Sequence, residues 1–218
     1  MTLRGYYAIL DVSNVAAGTA PATGGQVPVV ERARLLLAAA PCMLQVRAKG
    51  RSAAELAVLA RAVLPLARAA GALLCVNDRL DVALAVGADA VHLGQDDLPL
   101  ADARNVARGR LLIGISTHNM DQARAAVLGG ADYIGFGPIF ATATKANPDP
   151  IVGVEALREI SIWVGSRIPI VAIGGIRLGD VPAVAAAGAP AAALIGAIDG
   201  AADPGAAGRT VNAAFATP

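Results

Sequence analysis

A chain of 218 residues carrying a net charge of +1 is long enough for one large domain and falls within the usual range of an α/β barrel. Apolar residues make up 56% and aromatics only 3%, so the core is aliphatic, built from Ala, Val, Leu and Ile. The absence of any long basic run argues against nucleic acid or an anionic membrane as the main partner.

Tyr6–Val12 reads as a first strand and opens onto a Gly/Ala/Thr/Pro stretch to Gln26, with 17–26 expected to be a mobile loop. Val29–Ala40 has helical spacing, and Met43–Val46 is a second strand ending in Arg47-Ala48-Lys49-Gly50. Ser52 and Glu55 form a capping box for a helix running to Ala70. Strands follow at Ala72–Val76, Ala90–Leu93, Leu111–Ile115, Tyr133–Phe136, Ile168–Ile173 and Ala191–Ile195. Helices are expected between and after them at Asp81–Val86, Leu100–Arg108, Asp121–Leu128, Val154–Val164, Asp180–Ala187 and Pro204–Phe215.

Four helices end in a Gly-Ala pair just before the next strand, at Gly71, Gly87, Gly130 and Gly188, where Gly suits a left-handed cap. The strands are continuous apolar runs, as expected when both faces are buried. Eight such units predict an α/β fold, a (β/α)₈ TIM barrel in a single domain over 1–218. A doubly wound sheet is the alternative, but no GxGxxG turn follows the first strand.

Val181–Ile198 carries no charge and approaches the length of a membrane span, but Pro182, Gly188 and Pro190 break it into a helix, a turn and a strand. Cys42 and Cys75 sit in apolar surroundings without the spacing of a zinc site, as small buried hydrophobes do. Met1–Tyr6 has no secretory pattern, so a cytoplasmic location is expected.

In a barrel the residues just after each strand form the catalytic mouth. Here those ends supply Gln45, Arg47 and Lys49, then Asn77 and Asp78, then Gln95, Asp96 and Asp97. Ser116 and His118 follow the fifth strand, and Thr142, Thr144 and Lys145 the sixth. Gly175 and Gly196 close the seventh and eighth. Asp78 and Asp97, at the ends of neighbouring strands, would repel each other unless a cation neutralised them, which points to Mg²⁺. Arg47, Lys49 and Lys145 converging on that pair suit a diphosphate bridged by the metal. The glycine-bearing ends match the phosphate site common to this fold. Blander roles stand beside these: turn or N-cap positions for Asp78 and Asp97, a cap or surface position for Asp96, solvated charges for Arg47 and Lys49, and a hydrogen-bonded core histidine for His92. His118 suits a general acid or base as well as a loop position.

The segments QVRAK (45–49), ND (77–78), HLGQDD (92–97), GIST (114–117), DYIGFGPIFATATK (132–145) and PIVAIGGI (169–176), with Ile195-Gly196, resemble thiamine phosphate synthase, in order and at the right strand ends. The likeness covers the chain from about residue 43 onward; before it lies only a leading strand. The resemblance implies a transferase of thiamine biosynthesis that joins hydroxymethylpyrimidine diphosphate to thiazole phosphate, giving thiamine monophosphate and pyrophosphate. It assigns Gln45, Arg47, Lys49, Asn77, Ser116 and Lys145 to the pyrimidine diphosphate, with Arg47, Lys49, Lys145 and Ser116 catalytic. Asp78 and Asp97 would hold Mg²⁺, and Thr142, Thr144, Gly175, Ile195 and Gly196 the thiazole phosphate. Partners are then phosphorylated small molecules, with no nucleic acid and no membrane, and a homodimer is compatible with the sequence.

Two positions depart from the family pattern: Gly196 replaces its usual Ser, and Ala141 the Pro before the first loop Thr. Weaker thiazole-phosphate binding is expected from both. A thiazole tautomerase-like isomerase, a non-catalytic phosphate-binding barrel and another phosphate-handling barrel isomerase are the rivals. The tautomerase would not require Arg47, Lys49, Asp78 and Asp97 together, though His118 suits it; the full ligand set speaks against the non-catalytic barrel, and the paired carboxylates against the other isomerase.

Overall fold

The computed structural model describes residues 3–13, 29–142 and 149–216. The expected loop at 17–26, together with Thr144 and Lys145, lies outside the described residues. The elements alternate along the chain: β1 (Gly5–Asp11), α1 (Val29–Leu37), β2 (Met43–Arg47), α2 (Ala53–Ala69), β3 (Leu73–Asn77), α3 (Leu80–Val86), β4 (Ala90–Leu93), α4 (Leu100–Ala107), β5 (Leu112–Thr117), α5 (Met120–Leu128), β6 (Tyr133–Phe136), α6 (Gly153–Val164), β7 (Ile170–Ile173), α7 (Val181–Ala186), β8 (Ala191–Leu194), α8 (Gly196–Asp199) and α9 (Pro204–Ala214). All neighbouring strands pair in parallel, and β8 returns to β1 to close an eight-stranded barrel.

Local chemistry accounts for most boundaries. Ser52 and Glu55 satisfy each other's backbone N–H groups at the start of α2, the predicted capping box. Gly71, Gly87, Gly130 and Gly188 all have positive φ, the conformation their Gly-Ala pairs predicted for the αβ turns. Strand β7 starts at Ile170 rather than Ile168, because Pro169 has no N–H to give the ladder. The uncharged run 181–198 divides into α7, β8 and the start of α8, a short helix the sequence did not announce. No helix among the described residues is long and apolar enough to cross a membrane.

Two apolar layers hold the barrel. The larger lies between sheet and helices, where Ala60 and Ala67 of α2, Ala83 of α3, Ala103 and Ala107 of α4 and Ala123 of α5 are fully buried. Each Leu, Val or Ile buried there contributes about 1.5–3 kcal/mol and each Ala less, so stability is spread over many modest contacts. The smaller layer fills the barrel interior with Leu3, Tyr7, Ile9, Met43, Cys75, Tyr133, Val171 and Ala193. Both cysteines are free, and burial pushes the thiols of Cys42 and Cys75 up to about 11.

The interior carries a chain of polar contacts. Gln45 Nε2 donates to Tyr7 Oη at 2.8 Å, and Tyr7 Oη lies 3.1 Å from Tyr133 Oη. Tyr133 Oη is 3.1 Å from His92 Nδ1, and His92 Nε2 is 2.9 Å from Ser116 Oγ. With the Gln45 amide as the donor at one end, each hydroxyl donates onward and His92 accepts at Nδ1. Its Nε2–H then donates to Ser116, whose own proton is free to point elsewhere. Burial holds the His92 imidazole neutral, its pKa pushed down to about 4. The bland expectation of a hydrogen-bonded core histidine fits this placement.

Gly114 makes room for the chain: a Cβ there would sit 2.0 Å from Cζ of Tyr133, its register partner on β6. Gly114→Ala is therefore expected to destabilise by about 1–3 kcal/mol or more, read as a lower midpoint in urea. His92 sets a pH dependence. Between its unfolded pKa of about 6.5 and its folded pKa of about 4, only the unfolded chain takes up the proton. Stability should thus fall as pH is lowered through that window, and His92→Gln should flatten the decline in denaturation curves collected across it.

Candidate active site

One cavity of about 820 Å³ opens at the C-terminal ends of the strands. Gln45, Arg47, Lys49, Asn77, Asp78, Asp97, Ser116, Thr142, Gly175, Ile195 and Gly196, every described residue that the sequence nominated for the site, line it. The parallel barrel explains the convergence, since each of these residues lies in the C-terminal half of a strand or in the segment that follows one.

The β2–β4 side is charged. Asp78 is held in the left-handed region at φ 61°, its N–H donating to the His92 carbonyl at 2.8 Å. Asp tolerates that conformation better than most residues, and strained backbone of this kind gathers at functional sites. Asp97 accepts from the Gly94 N–H at 2.6 Å. Burial pushes the Asp97 carboxyl above the ordinary carboxylate range, and the Asp78 carboxylate beside it adds to the rise, against the pull of the Gly94 N–H and Lys49. Lys49 Nζ lies 3.3 Å from Asp78 Oδ2. Neither aspartate caps a helix: the N-cap positions of α3 and α4 are Arg79 and Pro99. Asp96 lines the cavity rim but is exposed.

Arg47 has partners that sequence reasoning missed. Its guanidinium is ion-paired with Asp11 at the end of β1 and donates to Ser13 Oγ at 3.2 Å. Asp11 in turn accepts from both the N–H and the hydroxyl of Ser13. The only available signal was an acidic residue at the end of the first strand, which gains meaning once β1 and β2 pair with Asp11 beside Arg47.

At the β5–β6 side, Ser116 sits at the head of the buried polar chain, and its carbonyl accepts from Gln95 Nε2 at 2.5 Å. His118 Nδ1–H donates to the Gly137 carbonyl at 2.6 Å, and its Nε2 lies 3.4 Å from Asp149 Oδ2. The ring thereby bridges the exit of β6 and the residues leading into α6. Asp149, like Asp11, was not nominated from the sequence.

At the β7–β8 side the backbone is crowded. A Cβ on Gly175, whose φ is +66°, would lie 2.3 Å from the Ala141 carbonyl oxygen, so only glycine lets the 137–141 segment approach β7 this closely. Phe140 N–H donates to the Gly174 carbonyl at 2.9 Å across the same contact, placing Thr142 on the cavity wall. Gly196 differs: it begins α8, and a Cβ built there meets nothing within 4 Å.

The model of a family described as thiamine monophosphate synthase matches residues 19–198. A thiamine-phosphate synthase of Anaeromyxobacter dehalogenans is 48% identical over 192 residues, covering 88% of this chain and 85% of that one. A thiamine-phosphate synthase of Moorella thermoacetica is 46% identical over 189 residues, covering 87% and 89%. Among solved structures, a thiamine phosphate pyrophosphorylase from Pyrococcus furiosus superposes with a TM-score of 0.82 at 33% identity, covering 97% of this chain and 95% of that one. With this closed barrel and this strand-end cavity, the chain belongs to the thiamine monophosphate synthase family.

Proposed function

We propose that this protein joins 4-amino-5-hydroxymethyl-2-methylpyrimidine diphosphate to thiazole phosphate, releasing pyrophosphate and forming thiamine monophosphate. The observation that carries this is the division of one cavity: a cation-and-carboxylate wall at β2–β4 faces a glycine-bearing wall at β7–β8. Its volume, about 820 Å³, is ample for two small substrates held side by side. Both walls belong to one barrel domain, which we place in the cytoplasm.

The pyrimidine ring would rest between Gln45 and Ser116. Gln45 spends its Nε2 on Tyr7, which leaves its carbonyl oxygen for the exocyclic amine, while the Ser116 hydroxyl, fed by His92, donates to a ring nitrogen. Asn77, Arg47 and Lys49 would hold the diphosphate, joined by Lys145 from outside the described residues. Asp78 and Asp97 suit Mg²⁺, which usually takes one or two protein carboxylates and completes its shell with water and substrate phosphates. Both carboxylates line the same wall of the cavity, and the like charge of Asp78 adds to the rise that burial causes in Asp97, which favours a cation there. Among the described residues no cluster of three or more His, Cys, Asp or Glu could hold a metal, so the substrate's own oxygens would finish the site. Bound there, Mg²⁺ would supply charge neutralisation for the departing pyrophosphate.

Arg47 and Lys49 aim positive charge where the leaving group gathers negative charge, so the C–O bond breaks with its electron pair going to pyrophosphate. The pyrimidine methyl cation is then captured by the lone pair of the thiazole nitrogen, held close by Thr142, Thr144, Gly175, Ile195 and Gly196. No protein nucleophile is needed, in keeping with the buried and protonated Cys75.

The test is purified protein with both substrates, with and without Mg²⁺, following thiamine phosphate. Product should form only with the divalent cation; full turnover in chelator would remove the metal from the scheme. Interconversion of thiazole isomers without coupling would instead indicate a tautomerase. Asp78→Asn and Asp97→Asn should each lower kcat by about 100-fold or more while leaving the melting curve near wild type. Gly196→Ser has open space for its side chain, and a hydroxyl bond to a charged phosphate is worth about 1.5–3 kcal/mol. Its KM for thiazole phosphate should fall about tenfold; an unchanged or higher KM would show that the missing hydroxyl has no bearing on binding.

A further inference from the structure

We propose that Arg177 is a ligand of the thiazole phosphate in this protein, supplying by charge the contact that Gly196 cannot make through a hydroxyl. This rests on the assignment of the β7–β8 wall to that phosphate.

The first argument is electrostatic. Arg47 is engaged by Asp11, Lys49 by Asp78, and the His118 ring faces Asp149. Arg177 also lines the cavity, at the exit of β7, and among the described residues it is the only cavity cation whose side chain has no carboxylate partner. A phosphate dianion held only by Gly175 and Gly196 would meet neutral backbone groups on this wall, with the carboxylates of Asp78 and Asp97 in the same cavity. A guanidinium changes that balance, and its planar fork fits two phosphate oxygens at once.

The second argument is positional. The backbone carrying Arg177 is held on both sides. Ile176 before it is buried, and Gly175 is pinned under the Phe140 and Ala141 carbonyls. After it, the Arg177 N–H donates to Asp180 Oδ2 at 2.9 Å, and the Asp180 N–H donates back to the Arg177 carbonyl at 3.0 Å. That exchange uses Asp180 on the backbone and leaves the guanidinium without a hydrogen-bond or ion-pair partner among the described residues. The third argument is the open space at Gly196, which borders the same cavity and has no neighbour within 4 Å of where a side chain would begin.

Steady-state kinetics of the full chain decide the matter, with thiazole phosphate and the phosphate-free thiazole alcohol as alternative acceptors. Arg177→Gln should raise KM for thiazole phosphate about tenfold, while KM for the pyrimidine diphosphate stays within about twofold and the alcohol is used as by wild type. Arg177→Lys should recover part of the loss. In a Gly196→Ser background the Arg177→Gln penalty should shrink, because the hydroxyl replaces the contact. Inorganic phosphate should compete with thiazole phosphate in wild type and several-fold less well in Arg177→Gln. An unchanged KM in Arg177→Gln overturns the proposal. Thr142→Ala separates the two ways this could happen. If Thr142→Ala raises KM and Arg177→Gln does not, the phosphate wall stands and Arg177 is a solvated rim charge. If neither moves KM, the phosphate wall itself is misassigned.

Discussion

Closure of the sheet between β8 and β1 is the constraint on which the rest of the site depends. Gly5 to Ala8 pair with Ala191 to Leu194, and β1 also pairs with β2, so Asp11 comes to lie beside Arg47. Without that return, the residues after β8 would hang on the far edge of an open sheet from Gln45 and Lys49. With it, both walls share one cavity. The aliphatic sequence suits closure, since β8 reads AAAL and all four of its residues are buried.

Charge within that cavity is arranged in partnerships of unequal strength. Arg47 with Asp11 is partly buried and further tied by Ser13, which orients the guanidinium. Lys49 with Asp78 is longer and more exposed, so it contributes little to stability and costs little to break when a diphosphate arrives. Asp97 is pushed up by burial and by Asp78 while the Gly94 N–H and Lys49 pull it down. A site with two neighbouring carboxylates, and a lysine held only by an exposed ion pair, is suited to binding a polyanion with its counter-ion. The opposite wall relies on backbone geometry, with the glycines at the end of β7 leaving room for the segment that carries Thr142.

Between the walls, the chain from Gln45 through Tyr7, Tyr133 and His92 to Ser116 gives the barrel interior a direction. A buried polar network is costly when half-satisfied and specifying when complete, because each member fixes the proton of the next. Here its two ends emerge at the floor of the cavity, on β2 and β5. Depressed basicity at His92 keeps the middle of the chain neutral, so Ser116 meets a hydrogen-bond donor rather than a positive charge.

Period and punctuation in the sequence were enough to determine eight strand–helix units, because apolar strands and Gly-Ala turns act locally and leave their mark within a few residues. The strand-end positions of Gln45, Arg47, Asn77, Asp78, Asp97, Ser116 and Gly196 were legible for the same reason, since a parallel barrel sends every strand end to one face. Tertiary structure alone decided which of those groups have partners. The contacts of Arg47 with Asp11 and of His118 with Asp149 join residues 36 and 31 positions apart in the chain, as their numbers show. The burial that lowers the pKa of His92 comes from strands on either side of it. The left-handed turn at Asp78 and the short helix at Gly196 were likewise invisible, since neither has a local propensity strong enough to announce it. Local free energies are written residue by residue, whereas pairing, burial and protonation depend on neighbours that only the closed barrel brings together.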